Sequence, residues 1–414
     1  MPPALTRGPP SRYDPRVPTP TRAAAASDGS RPILFLTVFI HLLGFGIIIP
    51  LLPYYAQTYG ASGLTVGLLA TSFSLMQFLF TPLWGRLSDR IGRRPVLIVS
   101  LVVTGLSYVV FATASSLWVL FVSRMLAGAA GAVLSTAQAY IADTTTPEER
   151  TKGMGLIGAA FGMGFIFGPA IGGILSHWGF AVPAFTAAAL AAIAAVFAVF
   201  RLRESLPREV RRERRAGPRS DVTLFGALRR PRIGPVLVTF FIGTLCFAGM
   251  EAVLALFCQH AYGLGPNHLG YLFAYVGVVA ATVQIRFVGG LAKRFGERRL
   301  ARTGLFLMGA GFVGGGLAPP FALFLVAMGA VAVGSGLSSP SLSGLVSIVT
   351  SPEEQGSILG FYQSLGSLAR AVGPFLGGLA FDRVSPGAPL WLAGAALGAL
   401  VLYATRLPGR ERAT

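Results

Sequence analysis

Three ionisable side chains lie in stretches of the sequence that are otherwise almost wholly apolar. His41 is in "TVFIHLLGFGIIIPLLP", Arg124 is in "LFVSRMLAGA" and Glu251 is in "CFAGMEAVLALF". An imidazole or a carboxyl group can bind and release a proton, and a carboxyl group in apolar surroundings can do so near neutral pH. A guanidinium group stays charged and can adjust the protonation of a neighbour or contact a substrate. These residue types suit proton exchange and the recognition of a small compound.

The elements that must position these side chains are membrane-spanning helices. Of the 414 residues, 53% are hydrophobic and only 12% are charged, which is typical of a membrane protein. A helix of about 20 apolar residues crosses a bilayer, and the apolar runs lack the alternation of barrel strands. We therefore predict an all-α membrane protein with twelve transmembrane helices, at residues 33–55, 65–84, 95–114, 116–141, 153–175, 180–200, 233–257, 267–290, 301–318, 321–348, 357–380 and 388–405.

Lys and Arg lie almost entirely on one side of these spans. Thirty of the 34 fall before the first span, after the last span or in the connections that follow spans two, four, six and eight, counting Arg302 at the second residue of span nine. This distribution predicts cytoplasmic termini and a place in the inner or plasma membrane. Basic residues beside anionic lipid headgroups account for the net charge of +18 without a nucleic-acid partner. The predicted organisation is a disordered cytoplasmic tail (1–32, with a transit peptide as the alternative), a six-helix bundle (33–200), a basic cytoplasmic linker (201–232), a second six-helix bundle (233–406) and a cytoplasmic tail (407–414).

The two halves of the chain repeat each other. "TPEERTKGMG" at 146 returns as "SPEEQGSILG" at 351, and "GPAIGG" at 168 returns as "GPFLGG" at 373, both at an offset of 205. "GRLSDRIGRR" at 85 returns as "GGLAKRFGER" at 289, at an offset of 204. Two parallel six-helix repeats are typical of transporters whose binding site lies between the halves, near the bilayer midplane.

Three motifs stand out: "GRLSDRIGRRPVL" between spans two and three, Arg124 with Gly128 in span four, and "GMGFIFGPAIGG" in span five. With these motifs the chain resembles the major facilitator superfamily, and within it the twelve-span drug:proton antiporters of the tetracycline-exporter type. The resemblance covers residues 33 to 405 and implies two pseudo-symmetric bundles of the major facilitator fold.

The resemblance implies a cytoplasmic gate in the first motif. In the family, the aspartate matching Asp89 contacts the start of span eleven, here about Gly356, and the arginines pair with an acid matching Asp143. The alternative is that these charges only set the topology. The candidate gate residues are Gly85, Asp89, Arg90, Gly92, Arg93, Arg94 and Asp143.

The span-five motif combines closely spaced glycines with a proline. Glycines three or four residues apart lie on one helical face and let a neighbouring helix approach closely, and Pro169 is expected to kink the span. Close packing alone explains this pattern as well as a special role in antiport does. The residues are Gly164, Gly168, Pro169, Gly172 and Gly173.

In the family fold, spans one, four, seven and ten line the pathway, which places His41, Arg124 and Glu251 on lining helices. Glu251 is a candidate proton carrier or anchor for a cationic substrate, or else a structural acid paired with an arginine. Two more arginines lie within spans: Arg286, which can reach the cytoplasmic surface, and Arg370, which we interpret as structural. Gln77 and Gln138 can add hydrogen bonds to this pathway.

His41 departs from the family pattern. In exporters of the tetracycline type the matching position usually holds an aspartate implicated in coupling. An aspartate changes between negative and neutral, whereas a histidine changes between neutral and positive. Either His41 titrates with the opposite sign of charge, or Glu251 carries the proton and His41 contacts substrate or donates a hydrogen bond. A third interpretation is a histidine that is simply packed between helices.

We predict a secondary active transporter that exports small lipophilic drugs or metabolites by alternating access, driven by protons. The alternatives are a uniporter or symporter of a small organic anion, and a non-transporting sensor or lipid-handling protein on the same scaffold. Because the sequence lacks a Walker motif, a nucleophile elbow and the His/Cys spacing of a metal site, we expect no enzyme, no metal and no cofactor other than the coupling proton. The expected partners are the substrate, protons and the bilayer; a monomer is compatible with the sequence.

Overall fold

The computed structural model describes residues 30–145, 147–206, 223–350 and 354–409, and the regular structure in these ranges is helical. Short 3₁₀ turns lie at Ser176–Trp178 and Ala404–Arg406, and a π-helical turn at Val283–Phe287. The α-helices are α1 (Ser30–Ile48), α2 (Leu51–Gln57), α3 (Gly63–Ile91), α4 (Arg93–Ala112), α5 (Leu117–Ala129), α6 (Val133–Thr144), α7 (Pro147–Leu175), α8 (Ala181–Arg201), α9 (Leu224–Arg229), α10 (Gly234–Tyr262), α11 (Pro266–Thr282), α12 (Val288–Phe295), α13 (Glu297–Gly316), α14 (Phe321–Ile348), α15 (Gln355–Arg383) and α16 (Ala388–Tyr403).

Each of the twelve predicted spans coincides either with one helix or with two helices that a short interruption separates. Within the described ranges, nine helical segments are long and apolar enough to cross a membrane. The other three predicted spans, five, nine and eleven, correspond to α7, α13 and α15. The chain is thus an all-α, multi-pass membrane protein. The predicted disordered tail (to residue 29), most of the linker (207–222) and the last five residues lie outside the described residues, while α9 lies within the predicted linker.

Three of the spans are discontinuous. Span one breaks between α1 and α2 at Ile49 and Pro50, where the proline has no N–H to continue the helical ladder. Span four breaks at Ala130–Ala132, and span eight contains the π-helical turn. Breaks and π turns inside membrane helices free backbone groups, and they are frequent at functional sites.

The backbone repeats the pseudo-symmetry of the sequence. Gly60 and Gly263, at an offset of 203, have φ angles of 74° and 64°. Gly92 and Gly296, at an offset of 204, have φ angles of 112° and 80°. A positive φ favours glycine because it has no Cβ. The two halves therefore turn at equivalent places, each with a glycine that the turn requires.

The two halves meet mainly through two pairs of helices, α3 with α15 and α7 with α11. In the first pair, residues 63–71 contact residues 371–382. In the second pair, residues 169–177 contact residues 267–270. We call this the closed end. At the opposite end, which carries Gly92 and Gly296, the main packing partners of α6 and α12 lie within their own halves. We call this the open end.

Candidate functional site

The first crossing at the closed end brings the backbones of α3 and α15 into contact. A Cβ on Gly67 would lie 2.2 Å from the carbonyl oxygen of Pro374, and one on Gly378 would lie 2.3 Å from the carbonyl oxygen of Gly63. The hydroxyl of Thr71 donates a hydrogen bond to the Ala371 carbonyl at 2.7 Å. Only glycine allows this approach, because any Cβ would overlap backbone atoms.

The second crossing, between α7 and α11, repeats the first. A Cβ on Gly270 would lie 2.5 Å from the carbonyl oxygen of Pro169, and one on Gly173 would lie 3.2 Å from Cα of Asn267. Pro169 is the repeat partner of Pro374 at the offset of 205, and Gly270 is the partner of Gly67 at 203. The same backbone contact thus occurs twice between the halves.

The remaining glycines of the span-five motif face a different helix. Cβ atoms on Gly164, Gly168 and Gly172 would lie 2.4–2.7 Å from atoms of α1. Gly173 faces α11 instead, so the prediction that all four glycines share one packing face was wrong for this residue. The reason is that consecutive residues on a helix differ by about 100° in direction, which lets neighbouring glycines serve two helices. The helix α7 continues through Pro169.

The second half repeats this contact within its own bundle. Cβ atoms on Gly373 and Gly377 would lie 2.6 Å and 2.2 Å from carbonyl oxygens of Leu245 and Gly249 on α10. Gly249 immediately precedes Met250 and Glu251. The glycine contact therefore fixes the part of α10 that carries Glu251 against α15.

Glu251 lies on α10 and Arg370 on α15, two helices that pack against each other. The two groups interact electrostatically, although no ion pair within 4.0 Å joins them among the described residues. Arg370 also donates a hydrogen bond from Nη2 to Oγ of Ser367 at 3.3 Å. This acid thus has a nearby cation without being locked to it. Arg286, by contrast, lies exposed in the π-helical turn.

His41 is partly buried on α1, and its Nδ1 atom is buried without a hydrogen-bond partner. One turn further along the same face, the ring of Phe45 lies 5.4 Å from the ring of Phe73 on α3. Leu42 and Gly46, in contrast, contact α7. His41 therefore lies one turn from an aromatic contact between α1 and α3. An imidazole nitrogen left without a partner there is costly to the fold unless a ligand or proton uses it.

Arg124 is buried on α5, with an exposed fraction of 4%. Its guanidinium group lies 4.9 Å from the ring centre of Phe111 and 6.0 Å from that of Tyr108, and Nη2 donates a hydrogen bond to Ser123 at 3.3 Å. Its Nε atom has no partner. No carboxylate neutralises this arginine among the described residues, so the charge is held by two aromatic rings and the Ser123 hydroxyl.

Gln77 lies beside the break in span four. A Cβ on Gly131, within that break, would lie 2.8 Å from Nε2 of Gln77, and one on Gly128 would lie 2.1 Å from the Phe73 carbonyl oxygen. Gln138, on α6, is partly buried. The helices α3 and α5 are therefore in backbone contact beside the interruption of span four. The contact is made by Phe73 of α3, one turn before Gln77 on the same helix. His41, Arg124 and Gln77 all belong to the first half, and Glu251 belongs to the second.

The predicted gate residues form a network around Arg93 at the open end. Its Nε atom lies 3.0 Å from Oδ2 of Asp143 and its Nη2 atom 2.6 Å from Oδ1 of Asp89; Nη1 donates to Oγ of Ser88. The side chains of Arg93 and Asp143 are 5% and 4% exposed, whereas that of Asp89 is 48% exposed. The predicted contact of Asp89 near Gly356 falls on side chains outside the described residues. Gly85 has open space around it, and Arg90 is exposed.

Glu204 belongs to this network and was not predicted. Its carboxylate accepts hydrogen bonds from the backbone N–H groups of Arg93 at 2.8 Å and Arg94 at 3.3 Å. A carboxylate at a helix N-terminus satisfies free N–H groups and complements the helix dipole. Arg94 in turn donates to the Val199 carbonyl. The end of α8 is thereby tied to the start of α4.

Removal of Asp143 is expected to destabilise the first half more than removal of Asp89. Asp143→Ala leaves the buried Arg93 without its buried partner and should cost about 3 kcal/mol. Asp89→Ala removes a half-exposed partner and should cost less than about 1 kcal/mol. Thermal unfolding of the two variants in detergent measures the difference; equal midpoints would contradict the assignment of the buried pair.

A second ion pair at the open end lies in the second half. Arg230, just after α9, bonds to Glu354, the residue before α15, through both carboxylate oxygens. The hydrogen bond from Arg230 lowers the pKa of Glu354. The end of the linker is thus held to the start of α15. Within the described ranges, no cluster of three or more His, Cys, Asp or Glu side chains is placed to hold a metal ion.

Comparisons with known proteins agree with this architecture. The family model of the Major Facilitator Superfamily matches residues 34–288 and 266–414. Multidrug resistance protein 2 of Bacillus subtilis is 32% identical over 84% of this chain and 88% of its own length. The class B tetracycline resistance protein of Escherichia coli is 29% identical over 91% of this chain and 94% of its own.

The fold also matches solved structures. The human organic anion transporter MFSD10 superposes with a TM-score of 0.71 over 93% of this chain and all of its own, at 24% identity. Its likeness concerns the fold alone. Because the family model covers both halves and a relative above 30% identity covers most of the chain, the protein belongs to the major facilitator superfamily and is a membrane transporter rather than an enzyme.

Proposed function

We propose that the protein exports small lipophilic compounds in exchange for protons. The observation that carries this proposal is the pathway chemistry: one carboxylate, Glu251, lies deep in a span beside an arginine that does not lock it, and His41 presents a buried unpartnered nitrogen. The names of the relatives, a multidrug and a tetracycline resistance protein, support export of drug-like compounds.

The closed and open ends support a direction for the cycle. In our proposal the open end is cytoplasmic, because it lies on the side of the spans where thirty of the 34 Lys and Arg residues fall, in the two terminal segments and in the connections after spans two, four, six and eight. The conformation described is then the one that takes up substrate from the cytoplasm. Rocking of the halves about the pathway would open the closed end for release.

Proteoliposomes with an imposed pH gradient test this function. We expect uptake of cationic dyes or tetracyclines into vesicles that are acidic inside, and no uptake when the gradient is collapsed. Liposomes without protein and a gradient of reversed sign are the controls. Transport that ignores the gradient would contradict proton coupling, and the absence of any transport or counterflow would favour a sensor or lipid-handling protein.

The role of His41 is separated by two variants. If His41 carries the proton, His41→Asp should retain coupled transport, because aspartate also titrates, and His41→Ala should lose it. If His41 only contacts substrate, both variants should lower affinity several-fold with the proton stoichiometry unchanged. The measurements are initial rates against substrate concentration and against pH. Wild-type behaviour of both variants would leave only a packing role.

A small organic anion is the second candidate substrate. The observation that favours it is Arg124, which is buried without a carboxylate partner among the described residues and has an unsatisfied Nε atom. The uptake assay should therefore include organic anions. Saturable anion transport that is lost in Arg124→Gln would support this candidate over the export of cations.

A further inference from the structure

Each crossing at the closed end finishes in a polar contact between the halves. At the first crossing the contact is made by Asp382, in the last turn of α15. Its Oδ1 atom accepts a hydrogen bond from the backbone N–H of Gly63 at 2.9 Å, and its Oδ2 atom accepts one from Leu64 at 2.8 Å. A carboxylate of the second half thus binds the start of α3 in the first half.

The contact completes the start of a helix. The first N–H groups of a helix have no partner within it and lie at the positive end of its dipole. The side chain of Ser62 accepts from Thr65 at 3.2 Å, and its carbonyl accepts from Val66 at 3.0 Å. The two remaining N–H groups, those of Gly63 and Leu64, are satisfied by Asp382. The N-terminus of α3 is therefore fully capped only while the two halves are in contact at this end.

The equivalent contact at the second crossing is made without a carboxylate. The offset of 205 relates Asp382 to His177, and the offset of 204 relates Gly63 to Asn267. There, Oγ of Ser176 lies 2.9 Å from Oδ1 of Asn267, and Nδ2 of Asn267 lies 2.7 Å from Nε2 of His177. Hydrogen bonds to an ionised carboxylate are about twice as strong as neutral ones. The two crossings thus share their backbone packing and differ in the strength of the polar contact.

We propose that Asp382 is the gating residue of the closed end, and that the α3–α15 crossing is the stronger of the two contacts that must break when this end opens. The inference rests on the alternating-access cycle of the proposed function and assigns to it a residue outside the pathway. Asp382 acts by position, because it stabilises one state of the two halves and touches neither of the candidate proton-carrying residues.

Distance measurements between the halves test this inference. Spin labels are attached at Thr58→Cys and Val384→Cys, two exposed positions at the closed end of opposite halves, with Cys246 and Cys258 replaced by alanine. Electron–electron double resonance then gives the populations with this end closed and open. The comparison is among the parent, Asp382→Ala, Asp382→Asn and Asn267→Ala, the last being the matched variant at the equivalent crossing.

Asp382→Ala is expected to raise the ratio of open to closed populations about fivefold or more, since it removes two hydrogen bonds. Asp382→Asn, which keeps one acceptor oxygen, should shift the ratio less in the same direction, and it decides the test if the alanine variant does not fold. Asn267→Ala should shift it less than Asp382→Ala. Unchanged distances in both Asp382 variants, or an equal shift in Asn267→Ala, would overturn the proposal. The measurement needs no substrate, so a failure of proton-coupled export would be seen separately.

Discussion

Glu251→Gln is expected to abolish pH-driven transport, lowering it at least about tenfold, while substrate exchange without a pH gradient persists. Glutamine has nearly the shape of the carboxylic acid but cannot release a proton, so the variant should cycle without coupling. Initial rates of uptake with and without the imposed gradient measure both activities. Glu297→Gln, which removes a carboxylate at the start of α13 near the open end, is the matched control and should retain coupling.

The neighbouring arginine provides a sharper control for this result. If Glu251 only balances the charge of Arg370, then Glu251→Gln and Arg370→Gln should each destabilise the protein, and the double variant should recover transport. If Glu251 carries the proton, the double variant should remain uncoupled. Recovery of pH-driven transport in the double variant, or intact coupling in Glu251→Gln, would remove Glu251 from the mechanism.

Gly67→Ala combined with Gly270→Ala is expected to prevent the closed end from forming. The added Cβ atoms would lie 2.2 Å and 2.5 Å, respectively, from a backbone carbonyl oxygen of the opposite half, and backbone atoms cannot rotate away. Overpacking of about 2 kcal/mol at each crossing would shift the balance of states about a thousandfold towards opening of this end. Transport should fall to background while membrane insertion is retained.

Labelling of cysteines introduced at Thr58 and Val384 with a membrane-impermeant reagent measures this shift in cells. Gly360→Ala is the matched control, because a Cβ at this position of α15 meets no atom within 4 Å. The single variants should show intermediate accessibility, since the two crossings are separate. Normal turnover in the double variant would mean that the close backbone contacts are not required by the cycle.

The helices themselves follow from local patterns, which is why the sequence predicts them well. Apolar length predicts a helix at each of the twelve positions, and several of the boundaries that move do so where charged turns extend a helix, as at Glu297 and Pro147. The break at Ala130–Ala132 was not predicted, although it contains Gly131 and follows Gly128 closely. Alanine is a good helix former, so this interruption depends on the packing of α5 against α3 rather than on local preference.

The contacts across the molecule were harder to predict. Glu204 is one acid in a strongly basic linker, and its role depends on the folded proximity of α8 and α4. Asp382 reaches a helix start more than three hundred residues away. Periodicity carries no information about such partners. The repeat offsets were the available signal, because they relate Asp382 to His177 and Gly63 to Asn267 through their positions in the chain alone.

The glycine crossings also affect how the two states respond to temperature. At Gly67, Gly173, Gly270 and Gly378 the halves touch through backbone atoms and through residues without rotatable side chains. Burying glycine, alanine or proline immobilises no rotamers, whereas burying a long side chain costs up to about 2 kcal/mol of conformational entropy. Closing this end therefore orders few side chains. Side-chain conformational entropy should accordingly contribute little to the change of the free-energy difference between the states with temperature.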